Sequence, residues 1–301
     1  MKRFALLASF FAIFLAACGP IGVQAHTISL AYKSGDTYKY GLHIVLKYTI
    51  GMQGLSVPFN VDMSGKETVK VKSVDSTGMA DLSIALTDIS VKTTANGTTN
   101  TTTTPTGTTV EVKVGSDGRI VSVNGNAFGS AGTLPGMTGS EGGLVSAILP
   151  DKPVKPGDTW TKSYDQANPM HSAGSYHVTT DNKYLRDEKV GSVQTAVVES
   201  NIKANLDLSF DVSSLNGQGA TPILPGSGAA GGLKGMSLQG TSTSDVTTWI
   251  DTGARRIVKS HSTGGLDATM TITLAPGTTS IPGLTGPITF KGTETLDMNP
   301  V

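Results

Sequence analysis

Between residues 38 and 52, every second position is apolar: Tyr38, Tyr40, Leu42, Ile44, Leu46, Tyr48, Ile50 and Met52. Lys39, His43, Lys47 and Thr49 fall between them. A strand sends successive side chains to opposite faces, whereas a helix would repeat every 3.6 residues. The run therefore specifies one long strand with one buried face. Residues 57–71 follow the same rule, with Val57, Phe59, Val61, Met63, Val69 and Val71 on one side. Asn60, Asp62, Ser64, Lys66, Thr68 and Lys70 take the other. Leu82, Ile84 and Leu86 alternate, then the phase shifts after Asp88 to Ile89 and Val91, which predicts a β-bulge. Val110, Val112 and Val114 mark another strand, and Asp117-Gly118 a tight turn before Ile120 or Val121 begins the return.

The second half echoes the first. Gly157-Asp158-Thr159-Trp160 matches Gly35-Asp36-Thr37-Tyr38, and Asp251-Thr252-Gly253 with Arg255-Arg256-Ile257 matches Asp117-Gly118-Arg119-Ile120. Strands read at 172–186, 192–212, 242–251, 255–274 and 286–298. One helix is expected at most, from a Ser140-Glu141 cap through Leu144, Val145, Ile148 and Leu149 to Pro150. Pro150, Pro153 and Pro156 make residues 150–156 a stiff connector. The predicted fold is all-β. Long antiparallel strands form a strongly curved sheet or partial barrel, internally duplicated as 28–149 and 157–301, with the repeats sharing one sheet. Two small sandwiches are the structural alternative. Thr93–Thr109, nearly all Thr, Asn and Gly, reads as a mobile hairpin tip. Four Gly-rich connections carry apolar residues: 51–58, 134–139, 231–236 and 281–287. They either gate an apolar cavity or fold back to plug the open end of the sheet.

The first residues set compartment. Lys2 and Arg3 precede an apolar run from Phe4 to Phe14, then Leu15-Ala16-Ala17-Cys18-Gly19. A charged start, a short apolar stretch and small residues make an export signal over 1–17, too short to span a bilayer. The Leu-Ala-Ala-Cys pattern resembles the bacterial lipobox, which implies an acylated Cys18 at the mature N-terminus, with residues 18–27 as a tether. The expected location is the cell envelope, with the bilayer as partner through acylated Cys18. Gly19 in place of Asp leans toward the periplasmic side of an outer membrane, where the source has two membranes. Cys18 is the chain's only cysteine, so no disulfide is available. A net charge of zero with 15% charged residues supplies no basic field for nucleic acid.

Catalytic patterns are missing from the sequence. His26, His43, His171, His177 and His261 show no zinc spacing, and no Gly-x-Ser-x-Gly elbow or phosphate loop appears. No metal and no cofactor is expected. Asp36 and Asp158 read as strand starters that bond nearby backbone N–H groups.

The run Leu149-Pro150-Asp151-Lys152-Pro153-Val154-Lys155-Pro156-Gly157-Asp158-Thr159-Trp160, with the Gly35-to-Tyr40 start, resembles a bacterial lipoprotein family of unknown function. That family brings no catalytic residues. In architecture the expected sheet is similar to LolA/LolB-like lipid carriers and to mycobacterial lipid-binding lipoproteins. The expected function is non-catalytic: a membrane-anchored envelope lipoprotein holding an apolar or amphipathic ligand, such as a lipid, on a concave β face. Tyr38, Tyr40, Leu42, Ile44, Phe59, Val61, Trp160 and Phe210 are the candidate lining, and they serve equally as plain core. A structural lipoprotein docking on another envelope component is the alternative, and a hydrolase with a dispersed site the third reading.

Overall fold

Alternation this regular has one low-energy use, a ladder with one wet and one dry face, and the computed structural model is built from it throughout. It describes residues 25–104, 109–124, 146–167, 175–211, 233–274, 276 and 286–301. The strands are β1 (Thr37–Met52), β2 (Leu55–Val74), β3 (Ala80–Ala95), β4 (Thr98–Thr104), β5 (Thr109–Val114), β6 (Ile120–Asn124), β7 (Thr159–Ala167), β8 (Ser175–Val190), β9 (Val193–Asp211), β10 (Leu233–Asp251), β11 (Ile257–Leu274) and β12 (Ile288–Pro300). All lie in one 12-stranded antiparallel sheet of order β6-β5-β3-β2-β1-β12-β11-β10-β9-β8-β7, with β4 paired to β3. The sheet curls into a nearly closed barrel, with a seam between β6 and β7.

The two halves join where β1 pairs with β12, in unbroken register from Tyr40–Pro300 to Met52–Ile288. The alternating apolar residues of β1 face inward: Tyr40, Leu42, Ile44, Leu46 and Tyr48 are all buried. Lys39, His43, Lys47, Asp62 and Lys66 are exposed on the outer wall. This polarity is the reverse of a membrane-spanning barrel, whose outer band is apolar. Among the described residues no helix is long and apolar enough to cross a membrane.

The predicted bulge is present. The β2–β3 register slips between Ser64–Ser90 and Lys66–Thr87, and Asp88 takes φ 52°. The two Gly-Asp-Thr sites have matching geometry. Gly35 N donates to Val71 O and Val71 N to Asp36 O, both at 2.9 Å. Gly157 N donates to Tyr184 O at 2.7 Å and Tyr184 N to Asp158 O at 3.0 Å. Both glycines have the positive φ that a Cβ would strain, 92° and 95°. Each half thus starts its first strand from the same turn.

The threonine tract forms the expected hairpin over its described residues 93–104: Asn96 and Gly97 turn at φ 49° and 78°, and β4 pairs along β3 from Ala95–Thr98 to Ile89–Thr104. β-Branched threonine suits a strand even where no face is buried. Two other expectations change. Of the four Gly-rich connections, residues 51–58 are a hairpin turning at Gln53-Gly54 and 233–236 belong to β10, while 134–139, 231–232 and 281–285 lie outside the described residues. The proposed helix falls partly on 140–145, outside the described residues. Its remainder, Ser146–Leu149, is not helical, because its N–H groups bond elsewhere. Ala147 N donates to Thr248 Oγ1 and Ile148 N to Ser200 Oγ, each at 2.8 Å, and Leu149 N to Asp117 O at 2.8 Å.

That segment is a buried inner strap. Trp160 Nε1 on β7 donates to Ile148 O at 3.0 Å, while Leu149 holds the β5–β6 turn, so the strap spans the seam. Outside it, Lys162 reaches Asp117 at 3.5 Å and the Arg119 guanidinium lies 5.1 Å from the Tyr164 ring centre. Buried backbone donors need acceptors, and the inward hydroxyls of β9 and β10 supply them.

Replacing Thr248 with Val should strand the Ala147 N–H and cost about 1–3 kcal/mol in urea unfolding. The outer-wall change Thr161→Val, which loses an exposed bond to Asp181, should stay within about 0.5 kcal/mol. Equal effects would remove the strap from its structural role.

Candidate functional site in the barrel interior

The interior is not uniform along its axis. At one end, Ile28, Leu30 and Tyr32 cross the barrel mouth and are buried, as are Ala147 and Leu149 of the strap. Leu30 N donates to Ser116 O and Ala31 N to Arg255 O, both at 2.8 Å. These segments, with Leu82, Ile84, Ile250 and Ile257 packed among them, plug this end. At the opposite end, marked by the Gln53-Gly54 turn, burial of the described residues is mixed: Ile288 and Met270 are buried. Ile50, Met52, Phe59, Met236 and Ile272 face the core but are only partly buried, and Leu55 at the hairpin tip is 66% exposed.

The candidate lining residues divide along this axis. Tyr40, Leu42, Ile44 and Val61 are buried core, and the Tyr40 hydroxyl donates to Ile257 O at 2.7 Å. Tyr38 and Trp160 pack partly buried toward the plugged end, with their polar atoms committed to Asp36 and Ile148. Phe59 lies toward the end marked by the Gln53-Gly54 turn. Phe210 pairs through its backbone with Met236 on β10. Cys18 lies outside the described residues. Sequence reasoning passed over Met236 and Ile272 as lining, although their register with Phe210 and with each other was present in the alternation.

The interior also carries a polar band that apolar counting did not register. Ser244 and Ser262 share a hydrogen bond of 2.8 Å, and Thr248 and Ser260 one of 3.2 Å. Asn182 donates to Trp160 O at 3.0 Å. Glu67 is fully enclosed, opposite Tyr40 on β1 and Leu86 on β3. Neither of its carboxyl oxygens has a hydrogen-bond partner. Burial pushes the Glu67 carboxyl well above its ordinary value of 4.5. A carboxyl sealed from solvent cannot reach a substrate, so Glu67 is not a catalytic candidate.

A cavity of about 410 Å³ lies at the plugged end, lined in part by His26, Ile28, Asp187, Gln194, Ile250 and Arg255. Its edge is a hydrogen-bonded chain. Tyr184 OH donates to Asp187 Oδ1 at 2.6 Å and accepts from His26 Nε2 at 2.8 Å. Desolvation first, then the Asp187 bond, raises the Tyr184 hydroxyl above its ordinary range. His26 is thus docked, although it falls within the stretch read as tether. Its backbone also bridges to Val154.

On the outer wall, Ser163, His177 and Asp165 reproduce the connectivity of a hydrolytic triad. Ser163 Oγ lies 2.8 Å from His177 Nε2, and His177 Nδ1 lies 2.9 Å from Asp165 Oδ1. Connectivity is not machinery. His177 and Asp165 side chains are 52% and 72% exposed on a convex strand pair, whereas triad catalysis needs a water-poor site with aimed oxyanion donors. His43 with Asp62 and His261 with Asp297 are similar cross-strand pairs at 3.0 and 2.7 Å. Three such pairs on one wall follow from alternation, which puts outward polar residues beside each other. His171 lies outside the described residues. Among the described residues no group of three or more His, Cys, Asp or Glu is placed to hold a metal.

Glu67 gives a signed pH dependence. Its folded-state pKa is raised, so the folded chain binds the proton more tightly than the unfolded one. Stability should therefore fall as pH rises above about 4.5, by at most about 1.4 kcal/mol per pH unit from this group. Glu67→Gln should remove that slope and leave the variant more stable than the parent at pH 8 in urea melts. An unchanged slope would show that Glu67 is solvated.

No protein-family model matches the chain, and no curated protein matches it. Among solved structures, DynF from the dynemicin biosynthesis pathway of Micromonospora chersina aligns over 94% of this chain and 90% of that chain, at 7% identity and TM-score 0.22. That similarity is too low to carry an argument about fold or function.

Proposed function

We propose that the protein is a lipid-anchored envelope lipoprotein that holds an apolar or amphipathic ligand, of the lipid class, inside the open end of its barrel, without catalysis. The observation that carries the reading is the uneven cover of the two ends. Ile28, Leu30, Tyr32 and the strap cover the plugged end, while Ile50, Met52, Phe59, Met236 and Ile272 form an apolar zone left partly uncovered by the described residues. An acyl chain entering this zone would gain about 0.8 kcal/mol per buried methylene. Methionine at two of the five positions suits a ligand of variable shape. The lipobox at Cys18 supports placement of this zone in the envelope, near a source of lipid, and the polar outer wall is compatible with a tethered, water-exposed body.

The test is titration of a fluorescent fatty acid into the mature protein. Saturable binding is expected, and Ile50→Lys and Ile272→Lys should each weaken it by about tenfold or more, a change equal to 1.4 kcal/mol. No saturable binding would favour the structural docking alternative. Separately, Cys18→Ala should move the protein from the membrane to the soluble fraction of its native host.

A further inference from the structure

The position of His26 limits how the barrel stands relative to its anchor. Its backbone bonds Val154 through N–H···O contacts of 2.9 and 3.0 Å in both directions, and its ring joins the Tyr184–Asp187 chain. Docked structure therefore begins by His26, at the plugged end. That end also carries the Asp75–Gly78, Gly115–Arg119 and Asp251–Arg256 turns. From Cys18 to His26 the chain takes eight Cα steps, a reach of at most about 28 Å. β1, with 16 residues, runs from the plugged end to the open end, and a barrel tilt of about 40° makes that height about 40 Å.

We propose that the plugged end is the membrane-facing surface and that the open, apolar end points away from the bilayer that holds the anchor. This rests on acylation of Cys18. The tether is shorter than the barrel, so the open rim reaches its own bilayer only if the barrel lies on its side. Lying down would set Lys39, Lys47, Asp62 and Lys66 against the headgroups and bury little apolar area, Val121 being the one large hydrophobic exposed on the described wall. The turns at the plugged end are polar and charged, with Asp36, Asp75, Arg119, Lys152 and Arg255 among them, which suits a hydrated headgroup layer. The consequence is directional: ligand exchanges with the aqueous side or with a second body facing the mouth, and not by dipping into the anchoring leaflet.

The chain's single cysteine makes the test direct, because acylation consumes its thiol. Ala254→Cys, at an exposed turn of the plugged end, and Leu55→Cys, at the open rim, are each labelled with a donor dye. The full-length acylated proteins are then placed in phosphatidylethanolamine/phosphatidylglycerol vesicles carrying a headgroup acceptor. Energy transfer should be several-fold stronger from position 254 than from position 55. A long Gly/Ser spacer inserted before His26 should erase the difference. Equal or reversed transfer, with acylation confirmed by mass spectrometry, would overturn the orientation while the anchor stands. An asymmetry that survives the spacer unchanged would overturn the tether argument. Absence of acyl mass on Cys18 would remove the anchor and the orientation with it.

Discussion

Every other feature of this molecule depends on the pairing of β1 with β12. It is the contact that makes two strand series one sheet, and it joins positions near opposite ends of the chain, Tyr40 with Pro300 and Met52 with Ile288. Without it, each half would be an open curved sheet with a wet inward apolar face. Once it forms, the faces enclose one another and a single core runs from Ile28 to Met298. Closure of so long a loop is entropically costly and slow. Its register must be specified strongly, since a slip of one residue would turn Tyr40, Leu42 and Ile44 outward. The strict alternation of β1 on one side and of Phe290, Leu296 and Met298 on the other provides that specification.

Closure creates a second problem, the seam between β6 and β7. β6 has five described residues, and among the described residues no ladder pairs it with β7. The strap Ser146–Leu149 solves it from inside, holding the β5–β6 turn through Leu149 and β7 through Trp160. This brings backbone N–H groups into a dry interior, and Thr248 and Ser200 accept their hydrogen bonds. The polar band of the lumen is in part the consequence of this repair. The same sealing leaves Glu67 without a partner and Tyr40 bonded to Ile257 O. The plugged end is therefore occupied by the N-terminal segment and the strap, which leave a cavity of about 410 Å³ beside His26.

Much of the architecture was legible because period two is hard to produce by chance over fifteen residues. The bulge at Asp88 was legible for the same reason: a phase change in alternation has few other physical meanings. Legibility failed where inward positions were not apolar. β10 begins at Leu233, yet its pattern was recognised only from 242, because Gly240, Ser242 and Ser244 occupy inward positions and hide the alternation. β4 read only as a hairpin tip, because seven exposed residues carry no burial signal at all. The strap read as a helix because Leu144, Val145, Ile148 and Leu149 have helical spacing, and only the acceptors on β9 and β10 show why that spacing is not used.

For the candidate site, sequence alone determined composition: which residues are apolar and which share a face of a strand. It could not determine position along the barrel axis, because axial position depends on which strand ends meet and what crosses them. Tertiary structure placed Tyr40, Leu42, Ile44 and Val61 in buried core and left Ile50, Met52 and Ile272 partly buried toward the Gln53-Gly54 end, although all obey one alternation. It also made His26 a docked residue, through Val154 and Tyr184. These decisions belong to the fold because burial is a property of what lies opposite a side chain, and in a curled sheet whose halves join through its first and last strands the opposite wall comes from distant sequence.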